Sequence, residues 1–208
     1  MKPLVKICGM RDRQNLAAVA ALEPDLLGLI FYKHSPRFVG SDFQLSDVLP
    51  SAKRVGVFVN ETVETIEALR TQHQLRWIQL HGQESLAMVQ EGYRLGWSMI
   101  KAFSIDEEFD FASTLEFAPF CKYFLFDTKG AHPGGNGRAF DWALLKNYTG
   151  NVPFLLSGGL AVSALNALKV VHHNMLAGFD FNSGVELAPG IKSIELVGTV
   201  INELKNRP

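Results

Sequence analysis

Short apolar runs alternate with longer amphipathic stretches along the whole chain. The runs are rich in Val, Ile, Leu and Phe, and most are apolar throughout, which is typical of strands covered on both faces of a sheet. The pattern predicts eight strands, at residues 4–8, 26–31, 54–59, 77–80, 98–102, 123–127, 154–156 and 177–181.

The stretches between these runs have the periodicity of helices. Apolar residues recur three and four positions apart, so that one face of each helix can pack on a sheet. Thr62, Ser85 and Ser163 each stand just ahead of such a stretch and are predicted to begin a helix there. The clearest apolar stripes are formed by Leu16, Val19, Ala20 and Leu22, by Val63, Ile66 and Leu69, and by Leu165, Leu168 and Val171.

Alternating strand and helix signals predict βα units and a parallel sheet. Eight units in 208 residues leave roughly 26 residues for each, which a strand, a helix and two short loops fill. We therefore expect an α/β protein with a single (β/α)₈ TIM barrel over residues 1–208, without a linker or second domain. The rival fold, an open doubly wound sheet, normally carries a GxGxxG turn after its first strand, and Cys8-Gly9-Met10-Arg11 does not match it.

Composition and charge limit the kinds of partner. Hydrophobic residues make up 47% of the chain and charged residues 20%, which is typical of a globular domain and argues against disorder. Basic and acidic side chains number 20 and 21, so neither nucleic acid nor an anionic membrane surface is expected as a partner. Any bound anion must be held by a local site.

Cysteine usage and the N-terminal residues predict a cytoplasmic protein. Cys8 and Cys121 lie far apart and outside any CxxC pattern, which argues against a secreted disulfide framework. Lys6 interrupts the first apolar run before it reaches the length of a signal peptide. No apolar run approaches the ~18 residues that a membrane-spanning helix needs.

The carboxyl ends of the predicted strands indicate where chemistry can occur, because barrel active sites are built there. Gly158-Gly159 and Ser183-Gly184 follow the last two strands and offer backbone N–H groups ahead of a helix or short segment, which predicts a phosphate site. The alternative interpretation is that these glycines belong to ordinary turns that bind no ligand. Candidate side chains at this edge are Cys8, Arg37, Asn60, His81 and Asp127.

Cys8 and Asp127 are residue types suited to proton transfer. Asp127 ends an otherwise apolar strand, so its carboxyl group can serve as a general acid at the barrel mouth or simply cap a loop. A lone cysteine at a strand end is more often a small buried residue than a catalyst, and a free pKa near ~8.5 leaves little thiolate at neutral pH. Strand alternation places Lys6 on the same side as Cys8, where its ammonium group would depress the pKa of the thiol.

Arg37 and the histidines offer two other kinds of site. Arg37 follows Ser35-Pro36, which hold the loop extended, and its guanidinium can clasp a carboxylate through two hydrogen bonds or remain a solvated surface group. His34, His172 and His173 show no metal-ligand spacing with carboxylates or thiolates, so no metal site is expected.

Eight short motifs stand in order along the chain. They are Lys6-Ile7-Cys8-Gly9, Ser35-Pro36-Arg37, Val55-Gly56-Val57-Phe58, Gln79-Leu80-His81-Gly82, Asp127, Gly134-Gly135-Asn136-Gly137 with Phe140-Asp141-Trp142, Gly158-Gly159-Leu160, and Asn182-Ser183-Gly184-Val185-Glu186. Each motif is weak alone, but in this order they make a specific match. Together they resemble the phosphoribosylanthranilate isomerase family of tryptophan biosynthesis over essentially the whole chain.

The resemblance implies a (β/α)₈ barrel that works without cofactor or metal on a small phosphorylated substrate. Such enzymes convert N-(5-phosphoribosyl)anthranilate into 1-(2-carboxyphenylamino)-1-deoxyribulose 5-phosphate by an Amadori rearrangement. It implies that Asp127 is the general acid that opens the ribose ring and that Cys8 is the general base that takes the proton from C2. Arg37 would pair with the anthranilate carboxylate, and His81 lies at a family site position. The loops implied to shape the substrate and phosphate pocket contain Gly135, Gly137, Gly158, Gly159, Ser183 and Gly184.

Three positions depart from the family pattern, and two other functions remain to be weighed. Asn136, Ser157 and Ser193 stand where Thr or Ser, Ala, and Asp are commoner, which affects affinity rather than the type of reaction. Another phosphosugar-processing TIM barrel enzyme would need metal-binding histidines or paired carboxylates, whereas this chain offers Cys8 and Asp127. A barrel that only binds a phosphorylated ligand would not need that pair. The chain is expected to be a monomer or a homodimer.

Overall fold

Eight parallel strands close into a barrel in the computed structural model, which describes residues 2–41, 43, 50, 53–129 and 141–205. Each strand pairs with its neighbours in the chain, and the last pairs with the first, with Lys6 opposite Asp180. The predicted (β/α)₈ barrel is therefore confirmed. The strands are β1 (Leu4–Cys8), β2 (Leu26–Ile30), β3 (Arg54–Phe58), β4 (Trp77–Leu80), β5 (Ser98–Ile105), β6 (Tyr123–Thr128), β7 (Phe154–Leu156) and β8 (Leu176–Phe181).

Within the described ranges, α-helices follow β1, β3, β4, β7 and β8. Thr62 and Ser85 each accept a hydrogen bond from a backbone N–H of the first turn, as predicted. The prediction for Ser163 was wrong, because the chain enters the next helix through a 3₁₀ turn at Val162–Ala164 that already contains this residue. None of these helices is long and apolar enough to cross a membrane. They are α1 (Arg13–Ala20), α2 (Val63–Gln72), α3 (Leu86–Arg94), α4 (Leu165–Lys169) and α5 (Ile194–Lys205).

After β5 and β6 the described chain forms 3₁₀ helices at Phe111–Phe117 and Trp142–Asn147. Asp110 and Asp141 begin them, and each accepts a hydrogen bond from the backbone N–H two residues further on. Such segments are short because their hydrogen-bond geometry is poorer than that of an α-helix. The strand–helix repeat is therefore less regular on this side of the barrel than the sequence pattern predicts.

A short antiparallel hairpin follows the β8 loop, formed by β9 (Glu186–Ala188) and β10 (Ile191–Lys192). The short segment that follows Ser183-Gly184 is therefore part of a hairpin and not of a helix. The side chain of Asn15 on α1 bonds both the N–H and the carbonyl of Lys192, which ties the hairpin to the barrel. Helix α5 begins only after Ser193, whose hydroxyl accepts a hydrogen bond from the first turn.

Alternate strand residues face the barrel interior or the layer outside it. In β1, Val5 and Ile7 belong to the larger cluster outside the barrel, whereas Cys8 belongs to the interior cluster. The interior cluster is aliphatic, and polar side chains succeed it at the carboxyl ends of the strands. Its other buried members are Leu26, Ile30, Val55, Val57, Ile100, Ala102, Leu125 and Leu155.

Candidate active site

A cavity opens at the carboxyl ends of the strands and collects most of the predicted site residues. Gly184 is not in the cavity wall itself but directly follows Ser183, which is, and Arg37 lies beside the cavity rather than in its wall. Gly135 and Gly137 lie outside the described residues. The predicted residues in the wall are Cys8, His81, Asp127, Gly158, Gly159 and Ser183.

A buried ion pair lies beside Cys8. The Lys6 ammonium group donates to both carboxylate oxygens of Asp180 at 2.9 Å. Lys6 is fully buried and Asp180 is 5% exposed. Because the two residues face each other across the β1–β8 pairing, the barrel closure itself brings this pair together.

The environment of Cys8 favours the thiol over the thiolate. Burial raises the pKa of Cys8, and the Asp180 carboxylate raises it further. The Lys6 ammonium group pulls this pKa down, as predicted from strand alternation, but the effect of burial is larger. The net pKa of Cys8 therefore lies above its ordinary value, even though Lys6 lowers it.

Asp127 stands at the carboxyl end of β6, close to a histidine. Its Oδ1 accepts a hydrogen bond from the Thr128 backbone N–H at 2.9 Å. Its Oδ2 lies 3.2 Å from Nε2 of His81. On the other side of the imidazole ring, Nδ1 lies 2.9 Å from the amide nitrogen of Gln79. Gln79, His81 and Asp127 thus form a connected row in the cavity wall.

Arg37 does clasp a carboxylate, but the carboxylate belongs to Glu186. Its Nε lies 2.9 and 3.1 Å from the two oxygens, and its Nη2 donates at 2.7 Å. Lys192 also donates to Glu186, at 2.7 Å, and to the side chain of Asn182 at 2.8 Å. The group lies next to Cys8, because a Cβ atom added to Gly9 would meet both Asn182 and Arg37 within 2.8 Å.

The two glycine loops approach each other closely at the cavity rim. Gly184 forms a parallel bridge with Ala161, and an added Cβ atom would lie 2.0 Å from the carbonyl oxygen of Leu160. Gly158 has a φ of +89°, which an L side chain rarely adopts. The loops after β7 and β8 therefore form one rim of the cavity, whose backbone can approach an anion closely.

A third buried charge cluster holds the loop that follows His81. Glu84 accepts hydrogen bonds from the backbone N–H groups of Asn60 and Gly82 at 3.1 and 2.9 Å. The Lys101 ammonium group donates to the same carboxylate at 3.0 Å. The cluster fixes the loops after β3 and β4, so Asn60 serves here as a structural residue.

Several residues of this arrangement had no role predicted for them. Asp180 carries a signal that would have found it, since it interrupts an apolar strand between Phe179 and Phe181 much as Asp127 ends one. Gln79 and Glu186 belong to quoted motifs, but their partners come from distant segments. Among the described residues, no three His, Cys, Asp or Glu side chains are placed to hold a metal ion.

Comparisons with known proteins point to one family. A family model described as N-(5'phosphoribosyl)anthranilate (PRA) isomerase matches residues 5–203. N-(5'-phosphoribosyl)anthranilate isomerase of Parabacteroides distasonis is 42% identical over 97% of this chain and 93% of its own length. The Phocaeicola vulgatus enzyme of the same name is 40% identical over 98% of each. A crystal structure of phosphoribosyl anthranilate isomerase with reduced 1-(o-carboxyphenylamino)-1-deoxyribulose 5-phosphate superposes with a TM-score of 0.80 and 28% identity, over 99% of this chain and 100% of that one.

Proposed function

This chain belongs to the N-(5'-phosphoribosyl)anthranilate isomerase family, and we propose that it rearranges its substrate with Asp127 as the general acid and Cys8 as the general base. It is an aldose–ketose isomerase of tryptophan biosynthesis. The observation that carries the residue roles is that one cavity wall holds both a carboxyl group and a thiol, from opposite parts of the barrel.

Asp127 is proposed to open the ribose ring. Its proton passes to the furanose oxygen, the bond between that oxygen and C1 breaks, and the anthranilate nitrogen supplies electrons to form an iminium ion. The negative charge that remains on Asp127 is stabilised by the Thr128 N–H at 2.9 Å and by His81 at 3.2 Å. The carboxyl group is therefore held in an environment that suits a proton donor at this step.

Cys8 is proposed to take the proton from C2 of the iminium ion. A C–H group next to an iminium carbon is far more acidic than an ordinary one, so a thiolate is a sufficient base. The C2–H electrons form the C1–C2 double bond, the nitrogen regains its electron pair, and the enolamine tautomerises to the ketone. Because burial holds the pKa of Cys8 above its ordinary value, only a minor fraction is thiolate at neutral pH, and activity is expected to rise with pH.

The two charged groups of the substrate are proposed to bind to two different sets of groups at the mouth of the cavity. Arg37 would take the anthranilate carboxylate, since its guanidinium already has the geometry for carboxylate binding at Glu186. The glycine rim formed by Gly158, Gly159, Ser183 and Gly184 would take the phosphate through backbone N–H groups. The related structure that holds a reduced carboxyphenylamino deoxyribulose phosphate supports a ligand with both groups.

The test is an isomerase assay on the purified protein, with phosphoribosylanthranilate generated from anthranilate in the assay mixture. Loss of anthranilate-type fluorescence is followed in the wild type and in Cys8→Ala and Asp127→Asn. Each variant is expected to lose about 10²- to 10⁴-fold in kcat, which is typical for a positioned acid or base. Cys121→Ala is the matched control, because Cys121 is also buried but lies outside the cavity wall. Full activity of either site variant would overturn the role assigned to that residue.

A further inference from the structure

We infer that Gln79 is a positioning residue for Asp127 and acts through the imidazole of His81. Its amide selects the ring nitrogen of His81 that carries the hydrogen, and so decides whether a donor or a lone pair faces Asp127. The inference rests on the proposed role of Asp127 as the general acid.

The geometry of the row specifies one tautomer. Gln79 and His81 lie two positions apart, so their side chains share the interior side of the barrel. The Gln79 amide nitrogen lies 2.9 Å from Nδ1 of His81. An amide nitrogen donates and does not accept, so Nδ1 is the acceptor and the hydrogen of the neutral ring is on Nε2. That nitrogen lies 3.2 Å from Oδ2 of Asp127.

The packing around Gln79 gives no structural reason for an amide at this position. Its register neighbours on β3 and β5 are Val57 and Ile100, and the residue itself is 1% exposed. Its Oε1 is buried and has no hydrogen-bond partner in the part of the chain that the structure describes. An unpaired buried acceptor destabilises a folded protein, so an apolar side chain of the same size would favour folding here.

The tautomer matters at the moment when Asp127 loses its proton. An Nε2–H group on His81 would place a donor near Oδ2, 3.2 Å from the ring nitrogen, and would stabilise the charge that develops there. The other tautomer would place a lone pair against the same oxygen, and a wrong histidine tautomer is known to cost an enzyme much of its rate while leaving the geometry intact. Gln79 is therefore expected to support the ring-opening step rather than substrate binding.

The experiment combines ¹⁵N NMR of the His81 ring with kinetics and thermal unfolding of Gln79→Met and Gln79→Glu. In the wild type, the ring hydrogen should be on Nε2. In Gln79→Glu, which offers an acceptor, a hydrogen should appear on Nδ1, and Gln79→Met should leave the tautomers mixed. Both variants should lose ~10- to 100-fold in kcat, with KM changed less than ~3-fold. Gln79→Met should unfold at the same temperature as the wild type or at a higher one.

Gln72→Met, at an exposed position on α2, is the matched control and should match the wild type in every measurement. A wild-type ring with its hydrogen on Nδ1 would overturn the inference, as would full activity of Gln79→Met. If Gln79→Met lost activity and also unfolded at a lower temperature than the wild type, the inference would be overturned as well, since Gln79 would then be a structural residue. The NMR result does not depend on activity, so it stands even where a fully active Asp127→Asn variant refutes the proposed general acid.

Discussion

Arg37 and Glu186 are joined by three hydrogen bonds of 2.7 to 3.1 Å, although they lie 149 positions apart in the chain. The contact connects the loop after β2 to the hairpin after β8. The contact with Glu186 uses the Nε–H and one N–H of Nη2, so in the proposed role of Arg37 a substrate carboxylate would bind through the other N–H groups of the guanidinium. Glu186 thus holds Arg37 in place before any ligand arrives, which reduces the side-chain entropy lost on binding.

Glu186→Gln is expected to destabilise the protein and weaken substrate binding. The substitution removes the counter-ion of two cations, one of which, Lys192, is fully buried. Breaking a buried pair in this way costs roughly 3–5 kcal/mol, which urea unfolding can measure. KM should rise more than kcat falls, because Arg37 loses its fixed orientation. Glu116→Gln, at an exposed position, is the control. An unchanged free energy of unfolding would show that the pair contributes nothing to the fold.

The same variant should show a defined pH dependence. Burial raises the pKa of Glu186, but Arg37 and Lys192 together lower it by more, so it lies below its usual value. A depressed carboxyl pKa gives stability that is present above the unfolded value of about 4.3 and is lost as the pH falls through the folded value. The stability difference between the wild type and Glu186→Gln should therefore be constant near neutral pH and shrink below about pH 4. A difference that is the same at every pH would contradict the pairing.

The barrel could be predicted from the sequence because strands covered on both faces are apolar throughout, and that signal is local. The hairpin at Glu186–Ala188 and Ile191–Lys192 could not, since Asn15, far away in the sequence, holds it. The same distinction applies to the site. Cys8 and Asp127 follow from the rule for strand ends, whereas the charge partners of Lys6 and Arg37 depend on barrel closure and loop packing.

Lys6→Met is expected to destabilise the protein by roughly 3–5 kcal/mol, because it leaves the Asp180 carboxylate buried without its partner. The double variant Lys6→Met/Asp180→Leu should recover much of that loss, since an apolar pair of similar volume needs no counter-ion. A double-mutant cycle by urea unfolding measures the coupling. Removal of the exposed pair Lys129 and Asp106 should leave the free energy of unfolding nearly unchanged. Additive effects at Lys6 and Asp180 would contradict the coupling.

The pKa of Cys8 should respond in opposite directions to its two charged neighbours. Titration of thiolate absorbance in the wild type should give a pKa above the ~8.5 of a free cysteine. Lys6→Met should raise this pKa further, because it removes the ammonium group, and Asp180→Asn should lower it, because it removes the carboxylate. Cys121 is the other cysteine of the chain, and burial raises its pKa to about 12. The titrations should be made in a Cys121→Ala background, so that the thiolate absorbance comes from Cys8 alone. Shifts in the same direction for both variants would refute this electrostatic account.

Gly158→Ala should damage both the proposed phosphate rim and the proposed general acid, Asp127. Its φ of +89° is unfavourable for alanine, and the new Cβ atom would lie 2.2 Å from Oγ1 and 2.5 Å from the backbone nitrogen of Thr128. Gly96→Ala provides the matched control, because Gly96 has a φ of +76° with open space around it. In both variants the strained backbone should lower the free energy of unfolding by ~1–3 kcal/mol. In Gly158→Ala the clash should lower it by a further ~1–3 kcal/mol.

The kinetic effects of the two glycine variants should differ more than their stabilities. The Thr128 N–H is the donor to Oδ1 of Asp127, so displacing Thr128 disturbs the carboxyl group as well as the rim. Gly158→Ala should therefore raise KM and lower kcat together, whereas Gly96→Ala should change neither. An equal loss of stability in the two variants, with normal kinetics in both, would mean that Gly158 is an ordinary turn residue and that the phosphate is held elsewhere.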